Sequence, residues 1–322
     1  MTVDPRMQVF LTGGTGFIGR SLLAHFEQDD YAVTLLQRNV VAPASDDMRR
    51  LSWSLEEPEF EPVEDVATYA GSTLVHLAAV AHRRGRGYAA KDVFNTLNAE
   101  STVRLARSAA CAGIRHFVFM SSIGVLGGDS GDGVFDESDP PAPISPYAQS
   151  KWLAEQGLRE LAANTDMQVT VLRPPVVYGP GAPGNFGSLL RAIRRGLPLP
   201  FDSICNSRQM LALDNLVDAV SLIVKARGSG YRVFHLADHE SVSTPELCRC
   251  MAGIMQRPSR VFRFPPAVLH AILRAAGRES LAQGLLGNLR ISTATIEAAL
   301  QWKPRVTLQQ GLERALLDND DH

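Results

Sequence analysis

Five consecutive residues near the middle of the chain have the types and spacing for acid–base chemistry: Tyr147-Ala148-Gln149-Ser150-Lys151. In a helix, a separation of four puts Tyr147 and Lys151 on one face, a turn apart. A free tyrosine has a pKa near 10, so only about a thousandth is ionised at neutral pH. Bringing it to neutrality takes about 3 pKa units, or about 4 kcal/mol. One cation at about 4 Å, at an effective dielectric of about 20, supplies that much. The spacing therefore predicts that Lys151 makes Tyr147 an acid or base near pH 7. Ser122 follows the apolar run His116-Phe117-Val118-Phe119-Met120 and offers a second hydroxyl to the same substrate oxygen. The competing reading is a tyrosine and a lysine met by chance on a solvated helix.

The elements that must hold these groups are readable. Ser145-Pro146 gives an N-cap followed by proline at the first helical position. His116–Met120 reads as a strand ending beside Ser122. At the start of the chain, Gln8-Val9-Phe10-Leu11 reads as a strand and Ser21–Phe26 as a helix. Between them lies Thr12-Gly13-Gly14-Thr15-Gly16-Phe17-Ile18-Gly19. Strand, glycine loop and helix in that order suit a dinucleotide. Glycine lets backbone approach a pyrophosphate, and the helix N-terminus points its free N–H groups at the charge. Gly13, Gly16, Phe17, Ile18 and Gly19 are the expected contacts. A strand Thr73–Ala79 ends in small residues, so Leu77, Ala78 and Ala79 are expected against the same cofactor. His76, inside that run, reads as a satisfied core histidine.

The second strand, Tyr31–Leu36, leads into Gln37-Arg38-Asn39. A dinucleotide fold usually has an acid here for the ribose hydroxyls. Arg38 instead suits a 2′-phosphate, so NADP(H) is favoured, with NAD(H) the alternative if Arg38 is only a solvated charge. Residues 40–70 hold three prolines and an acidic run and read as a loop. His82–Gly87 reads as a basic loop. Residues 92–112 read as one helix. Strands and helices alternate to about residue 175, ending with the strand Gln168–Arg173. Beyond it, helices are expected at Phe186–Arg195, at Leu216–Ala226 capped by Asp214-Asn215, and from Thr244 to Met255. The C-terminal end reads as a surface helix. The fold class is therefore α/β, a Rossmann-like doubly wound parallel sheet. The expected division is a dinucleotide-binding domain over 1–176 and a smaller substrate lobe over 177–322, with some elements returning to the sheet.

Thr12–Gly19, Val75–Ala79, Ser121-Ser122 and Tyr147–Lys151, in this order, resemble the extended short-chain dehydrogenase/reductase superfamily. Within it the chain is similar to the nucleotide-sugar epimerase, dehydratase and reductase branch. Arg173–Gly181 and Ser207–Asp214 are similar to two further segments of that branch. The resemblance implies Ser122, Tyr147 and Lys151 as catalytic residues, with Tyr147, Lys151 and Pro174 also at the cofactor. It implies Asn185 and Arg208 on a sugar-nucleotide diphosphate, and Pro200 and Phe201 lining the base of a UDP-sugar. Three positions depart from the branch: Val176 where an asparagine is common, Leu126 where epimerases carry tyrosine, and Gln37-Arg38 in place of the acid. They favour a 4-reductase of a UDP-4-keto-6-deoxy-N-acetylhexosamine over a UDP-hexose 4-epimerase. A cofactor-sensing binding protein on the same fold is the non-enzymatic alternative. The resemblance also implies homodimers paired through helices matching 92–112 and 146–163.

Bulk properties narrow the classes. The chain has 322 residues, 45% of them hydrophobic, and a formal charge of −2. Nothing in that balance calls for nucleic acid or an anionic membrane as partner. No apolar run approaches the ~18 residues of a membrane span, and Met1–Arg6 has no signal-like apolar segment. Cys111, Cys205, Cys248 and Cys250 make neither C-x-x-C nor a zinc set. They read as thiols in a reducing cytoplasm, where the protein is expected, and no metal is expected.

Overall fold

In a computed structural model of the chain, the described residues are 7–38, 49–61, 69, 71–80 and 91–317. The basic loop at 82–86 lies outside them. The strands are β1 (Gln8–Thr12), β2 (Ala32–Gln37), β3 (Arg49–Ser52), β4 (Thr73–His76), β5 (His116–Met120), β6 (Gln168–Arg173), β7 (Val177–Tyr178), β8 (Arg208–Gln209), β9 (Leu211–Ala212), β10 (Tyr231–His235) and β11 (Ser241–Val242). The helices are α1 (Phe17–Gln28), α2 (Lys91–Phe94), α3 (Ser101–Cys111), α4 (Pro146–Ala163), α5 (Gly184–Arg194), α6 (Leu213–Lys225), α7 (Thr244–Ile254), α8 (Pro266–Ala275), α9 (Glu279–Leu286), α10 (Ala294–Leu300) and α11 (Leu308–Leu317).

Two compact units are present. The first draws on the described residues up to Val125, on Ser145–Arg173 and on Val217–Phe234. The second draws on Leu126–Ile144, Pro174–Leu216 and the described residues from His235. The chain thus passes between the units more than once.

The first unit is built on a seven-stranded sheet in the order β10-β6-β5-β4-β1-β2-β3. The pairs from β3 to β6 are parallel. Every residue of β5 and β6 is buried, as befits strands covered on both faces. Phe10, Phe117, Phe119, Val169 and Leu158 belong to one core cluster. The loop expected over 40–70 contains β3. That strand lies at the sheet edge with Arg49 and Ser52 exposed, so its sequence carries no apolar alternation to read. The strand expected to reach Ala79 stops at His76, because the Oγ1 of Thr12 takes the N–H groups of Leu77 and Ala78 at 3.1 and 3.2 Å.

The helix expected over 92–112 is α2 and α3 joined by a π-helical stretch, Asn95–Glu100. The start of α4 is as expected: the Ser145 side chain accepts from the Ala148 N–H at 3.1 Å, with proline in the first turn.

The second unit has its own core, including Tyr178, Phe186, Met251 and Leu312. Its polar hub is Asp238. This buried carboxylate accepts from Asn215 at 2.7 Å, the Ala212 N–H at 2.9 Å and the Tyr178 hydroxyl at 3.0 Å. Burial pushes its pKa up to about 6 against the pull of those donors. Asn215 is therefore not the cap of a helix from Leu216. It lies in the first turn of α6 and is spent on Asp238 and on the backbone of Arg305 and Val306. The cap of α7 is Ser243, one residue earlier than Thr244, in a reciprocal capping box with Glu246. The C-terminal helix α11 is half interior, burying Leu312, Ala315 and Leu316.

Candidate active site

The glycine loop joins β1 to α1 and closes on itself: the Gly16 N–H bonds the Gly13 carbonyl at 3.0 Å. Gly13 has φ +71°, and a Cβ there would fall 2.9 Å from the Ala78 nitrogen. A Cβ on Gly19 would stand 2.1 Å from the Gly13 oxygen. Any side chain at these two positions would collide with backbone and force the loop open, and a tight glycine loop before a helix N-terminus suits a dinucleotide pyrophosphate.

The loop forms one wall of a groove of about 540 Å³. Arg38 and Leu77–Ala79 also line it. Glu56 lines it too, although its sequence neighbourhood reads only as a solvated loop. Phe17 and Ile18 sit in the first turn of α1, each partly exposed.

Beneath the loop runs a chain of buried hydroxyl, imidazole and amide groups. Thr12 Oγ1 already accepts two backbone N–H groups, so its own proton goes to His76 Nδ1 at 2.8 Å. That assigns the imidazole proton to Nε2, which donates to Thr102 Oγ1 at 3.0 Å. Thr102 in turn donates to the Asn98 carbonyl at 2.6 Å. Burial and the Lys151 charge hold the His76 pKa down at about 3, so it stays neutral. It is a satisfied core histidine, as expected.

Asn98 takes the Val80 N–H at 2.8 Å and returns a bond to the Val80 carbonyl at 3.1 Å. Its amide also donates to Ser150 Oγ at 3.1 Å, and Ser150 donates to the Tyr147 carbonyl at 2.8 Å. Asn98 therefore links the end of β4 to α4. Nothing in its sequence setting singles it out, because Asn95, Thr96, Glu100 and Ser101 beside it are polar too.

On α4, Lys151 is 2% exposed. Its ammonium donates to the Met120 carbonyl at 2.8 Å and sits 4.6 Å from the Phe119 ring centre. Burial lowers its pKa to about 7, against the pull of Glu155. Glu155, one turn further along α4, is buried with Arg173 at 2.6 Å and also accepts from Ser121. Tyr147 keeps part of its surface exposed, yet burial pushes its phenol up to about 12.

The expected lowering of Tyr147 by Lys151 is thus absent from the protein alone. The cation is 5.7 Å from the ring centre, its hydrogen bond goes elsewhere, and its own charge is penalised by burial.

Ser122 lies just past β5. Its Oγ accepts from the Gly124 N–H at 3.1 Å. A Cβ on Gly124 would come 3.3 Å from that oxygen and 3.7 Å from the Ala148 methyl. The strand-end serine and the first turn of α4 are therefore close neighbours. Ser122, Tyr147 and Lys151 all belong to the first unit.

The remaining expected residues belong to the second unit. Arg208 is partly buried, and its Nη1 donates to the carbonyls of Gln283 at 3.1 Å and Gly287 at 2.7 Å. Burial lowers its pKa to about 10, still charged at neutral pH. Asn185 is exposed in the first turn of α5, and its Nδ2 lies 3.8 Å from where a Cβ on Gly284 would be. Both residues thus approach α9 and its C-terminal end. Gln283 between them keeps a buried Oε1 with no protein partner. Pro200 is partly exposed, whereas Phe201 is 8% exposed and packed in the core. Pro174 is buried directly after β6. Among the described residues no cluster of three or more His, Cys, Asp or Glu could hold a metal.

A model of the NAD dependent epimerase/dehydratase family matches residues 9–237. The chain belongs to that family. Its similarity extends to whole proteins. It is 32% identical over 320 residues to a UDP-glucose 4-epimerase of Vibrio cholerae, covering 97% of this chain and 96% of that protein. It is 26% identical over 330 residues to an N-acetyl-alpha-D-glucosaminyl-diphospho-ditrans,octacis-undecaprenol 4-epimerase of Escherichia coli O157:H7, covering 96% and 94%. Among solved structures, MoeE5 in complex with UDP-glucuronic acid and NAD superposes with a TM-score of 0.75 at 25% identity, covering 96% of this chain and 98% of that one. Membership of this epimerase/dehydratase family accords with the extended short-chain dehydrogenase/reductase resemblance and with the α/β fold read from the sequence.

Proposed function

We propose that this family member is a 4-reductase of a UDP-4-keto-6-deoxy-N-acetylhexosamine, serving surface polysaccharide synthesis, with NADP(H) as the favoured cofactor. The observation that carries this reading is Arg38, which lines the dinucleotide groove at the end of β2, where NAD-retaining epimerases carry an acid. A reductase starts from a neutral phenol, which must give its proton to the oxygen formed at C4. An epimerase starts by removing the C4 hydroxyl proton and needs a phenolate. Burial pushes the Tyr147 phenol up, toward the acid form that the reduction uses.

The bound nicotinamide would supply the hydride that reaches C4. Tyr147 donates its phenolic proton to the C4 oxygen, so ketone becomes alcohol, and solvent later restores that proton. Ser122 holds the same oxygen. Lys151 would hold the nicotinamide ribose of a bound cofactor. Asn185 and Arg208 take the diphosphate, for which a guanidinium is suited, and Pro200 and Phe201 border the base. Arg38, with no acid at the end of β2, supports NADP(H), and Gly13 to Gly19 take the pyrophosphate.

A second reading, a UDP-hexose 4-epimerase, is favoured by the Vibrio cholerae relative. The two differ in what happens to the cofactor: a reductase exchanges it every cycle, an epimerase keeps it. Absorbance at 340 nm decides between them. The protein is given NADPH or NADH with a UDP-4-keto-6-deoxy-sugar, and separately UDP-glucose or UDP-GlcNAc without added cofactor. Net NADPH oxidation abolished in Tyr147→Phe supports the reductase. Interconversion of the hexoses with tightly held NAD, and no net oxidation, overturns it.

A further inference from the structure

The outward face of α8 carries the wrong chemistry for water. A surface helix normally turns polar residues outward. Here Leu269 and Leu273 pack into the core of the second unit, while Ala267, Val268, Ala271, Ile272 and Ala275 are exposed. Val268 is 46% exposed, Ile272 53%, and Phe262, just before the helix, 44%. Both sides of α8 are thus apolar, and one of them has no protein against it among the described residues.

In the sequence around this helix, arginines outnumber acids. From residue 247 to residue 278 the sequence holds six arginines and no aspartate or glutamate. Arg257, Arg260, Arg263, Arg274 and Arg278 are all exposed. The acids that meet this segment are Asp202, which pairs with Arg249 and with Arg263, and Glu279, which faces His270 at 3.5 Å. Arg263 remains 88% exposed in its pair.

An apolar helical face flanked by arginines is complementary to the interface of an anionic bilayer, where acyl chains meet negative headgroups. We propose that α8 and the Phe262–Pro265 lead-in seat the protein on the surface of an anionic phospholipid membrane. At 10 residues, or about 15 Å, α8 is far too short to span the ~30 Å hydrocarbon layer. Among the described residues no helix is long and apolar enough to cross a membrane. Such a helix lies in the interface, apolar face down, with its arginines at headgroup level. The sequence expectation of no membrane partner rested on the lack of a spanning run and on net charge. Neither registers a short basic patch with an apolar centre. The inference is independent of which sugar the active site takes.

Vesicle flotation with the full chain tests it, using phosphatidylcholine alone and phosphatidylcholine mixed with phosphatidylglycerol. The protein floats with the mixed vesicles at low salt and is released by high salt. Val268→Asp with Ile272→Asp lowers partitioning at least tenfold. Arg274→Gln and Arg278→Gln each lower it about fivefold. Dinucleotide affinity, measured by fluorescence titration, stays unchanged in all three variants and reports that they are folded. No retention on the mixed vesicles, or retention indifferent to the aspartates, overturns the proposal. So does self-association that the aspartates dissolve without any vesicle binding, which would assign the face to a second copy of the chain.

Discussion

The ammonium of Lys151 stands 5.7 Å from the ring centre of Tyr147 and gives its hydrogen bond to the Met120 carbonyl, at the end of the neighbouring strand. The pair is thus held by β5 as much as by α4. In the protein alone neither partner eases the other's ionisation: the phenol is pushed up to about 12 and the ammonium down to about 7, each chiefly by burial.

A protonated phenol has a signature in the reductive direction. The acid form of Tyr147 persists well above neutrality, so kcat/KM for ketone reduction should show no tyrosine-governed fall between pH 6 and 9. The reverse, oxidative direction needs the phenolate and should rise with pH over the same range. Initial rates in both directions check this. A reductive profile that falls tenfold per pH unit above pH 7 would mean that bound cofactor ionises the phenol.

Lys151 also leaves a mark on stability. Its folded pKa, about 7, lies below the ordinary lysine value of about 10.5, so the unfolded chain binds the extra proton between them. Stability from this residue therefore rises as pH climbs from 7 to 10 and is missing below 7. In Lys151→Met that slope disappears. The variant's stability relative to wild type should fall by about 2 kcal/mol between pH 7 and 9. Urea melts at the two pH values measure it. An equal difference at both would show that the lysine is not perturbed.

His76 acts in the opposite pH range. Its folded pKa, about 3, is below the usual 6.5, so stability is full above 6.5 and lost as pH falls toward 3. His76→Phe removes a charge that cannot form, but also the bonds to Thr12 and Thr102. At pH 7 the variant should be about 1–3 kcal/mol less stable. At pH 4.5 it should have recovered about 2–3 kcal/mol of that relative to wild type. Thermal or denaturant unfolding across this range checks the sign.

Arg38 decides the cofactor if its guanidinium meets a 2′-phosphate. Arg38→Glu should then weaken NADPH binding at least tenfold and change NADH binding less than threefold. Fluorescence titration of each cofactor reads the ratio. Equal losses for both would reduce Arg38 to a general contact on the groove wall.

What could be read in advance depended on whether a residue's job is local. Gly13 to Gly19 and Ser145 to Lys151 are each one turn or one cap, so their spacing alone specifies their geometry. The doubly wound sheet was legible for a similar reason: buried parallel strands such as β5 and β6 are continuous apolar runs. β3 was not, because an exposed edge strand has no apolar face to show. Asn215 was mistaken for a cap because a residue that caps and one that ties Asp238 to Val306 have the same sequence surroundings. Asn98 is not legible because its partners, Val80 and Ser150, lie far from it in the chain. The pKa of Tyr147 was misjudged because spacing gives the proximity of a cation but not its burial or its other hydrogen bond.

The π-helical stretch before α3 has a consequence for how the gene can change. Residues 95–100 wind more loosely than an α-helix, which adds one residue without lengthening the rod by a full turn. Removing a residue beside Asn98 would restore ordinary winding and turn its side chain off its present face. The amide would leave Val80 and Ser150 together, and the floor under the cofactor groove would come unfastened from the catalytic helix. An insertion or deletion tolerated almost anywhere on the outer surface would here be as damaging as losing the tyrosine itself.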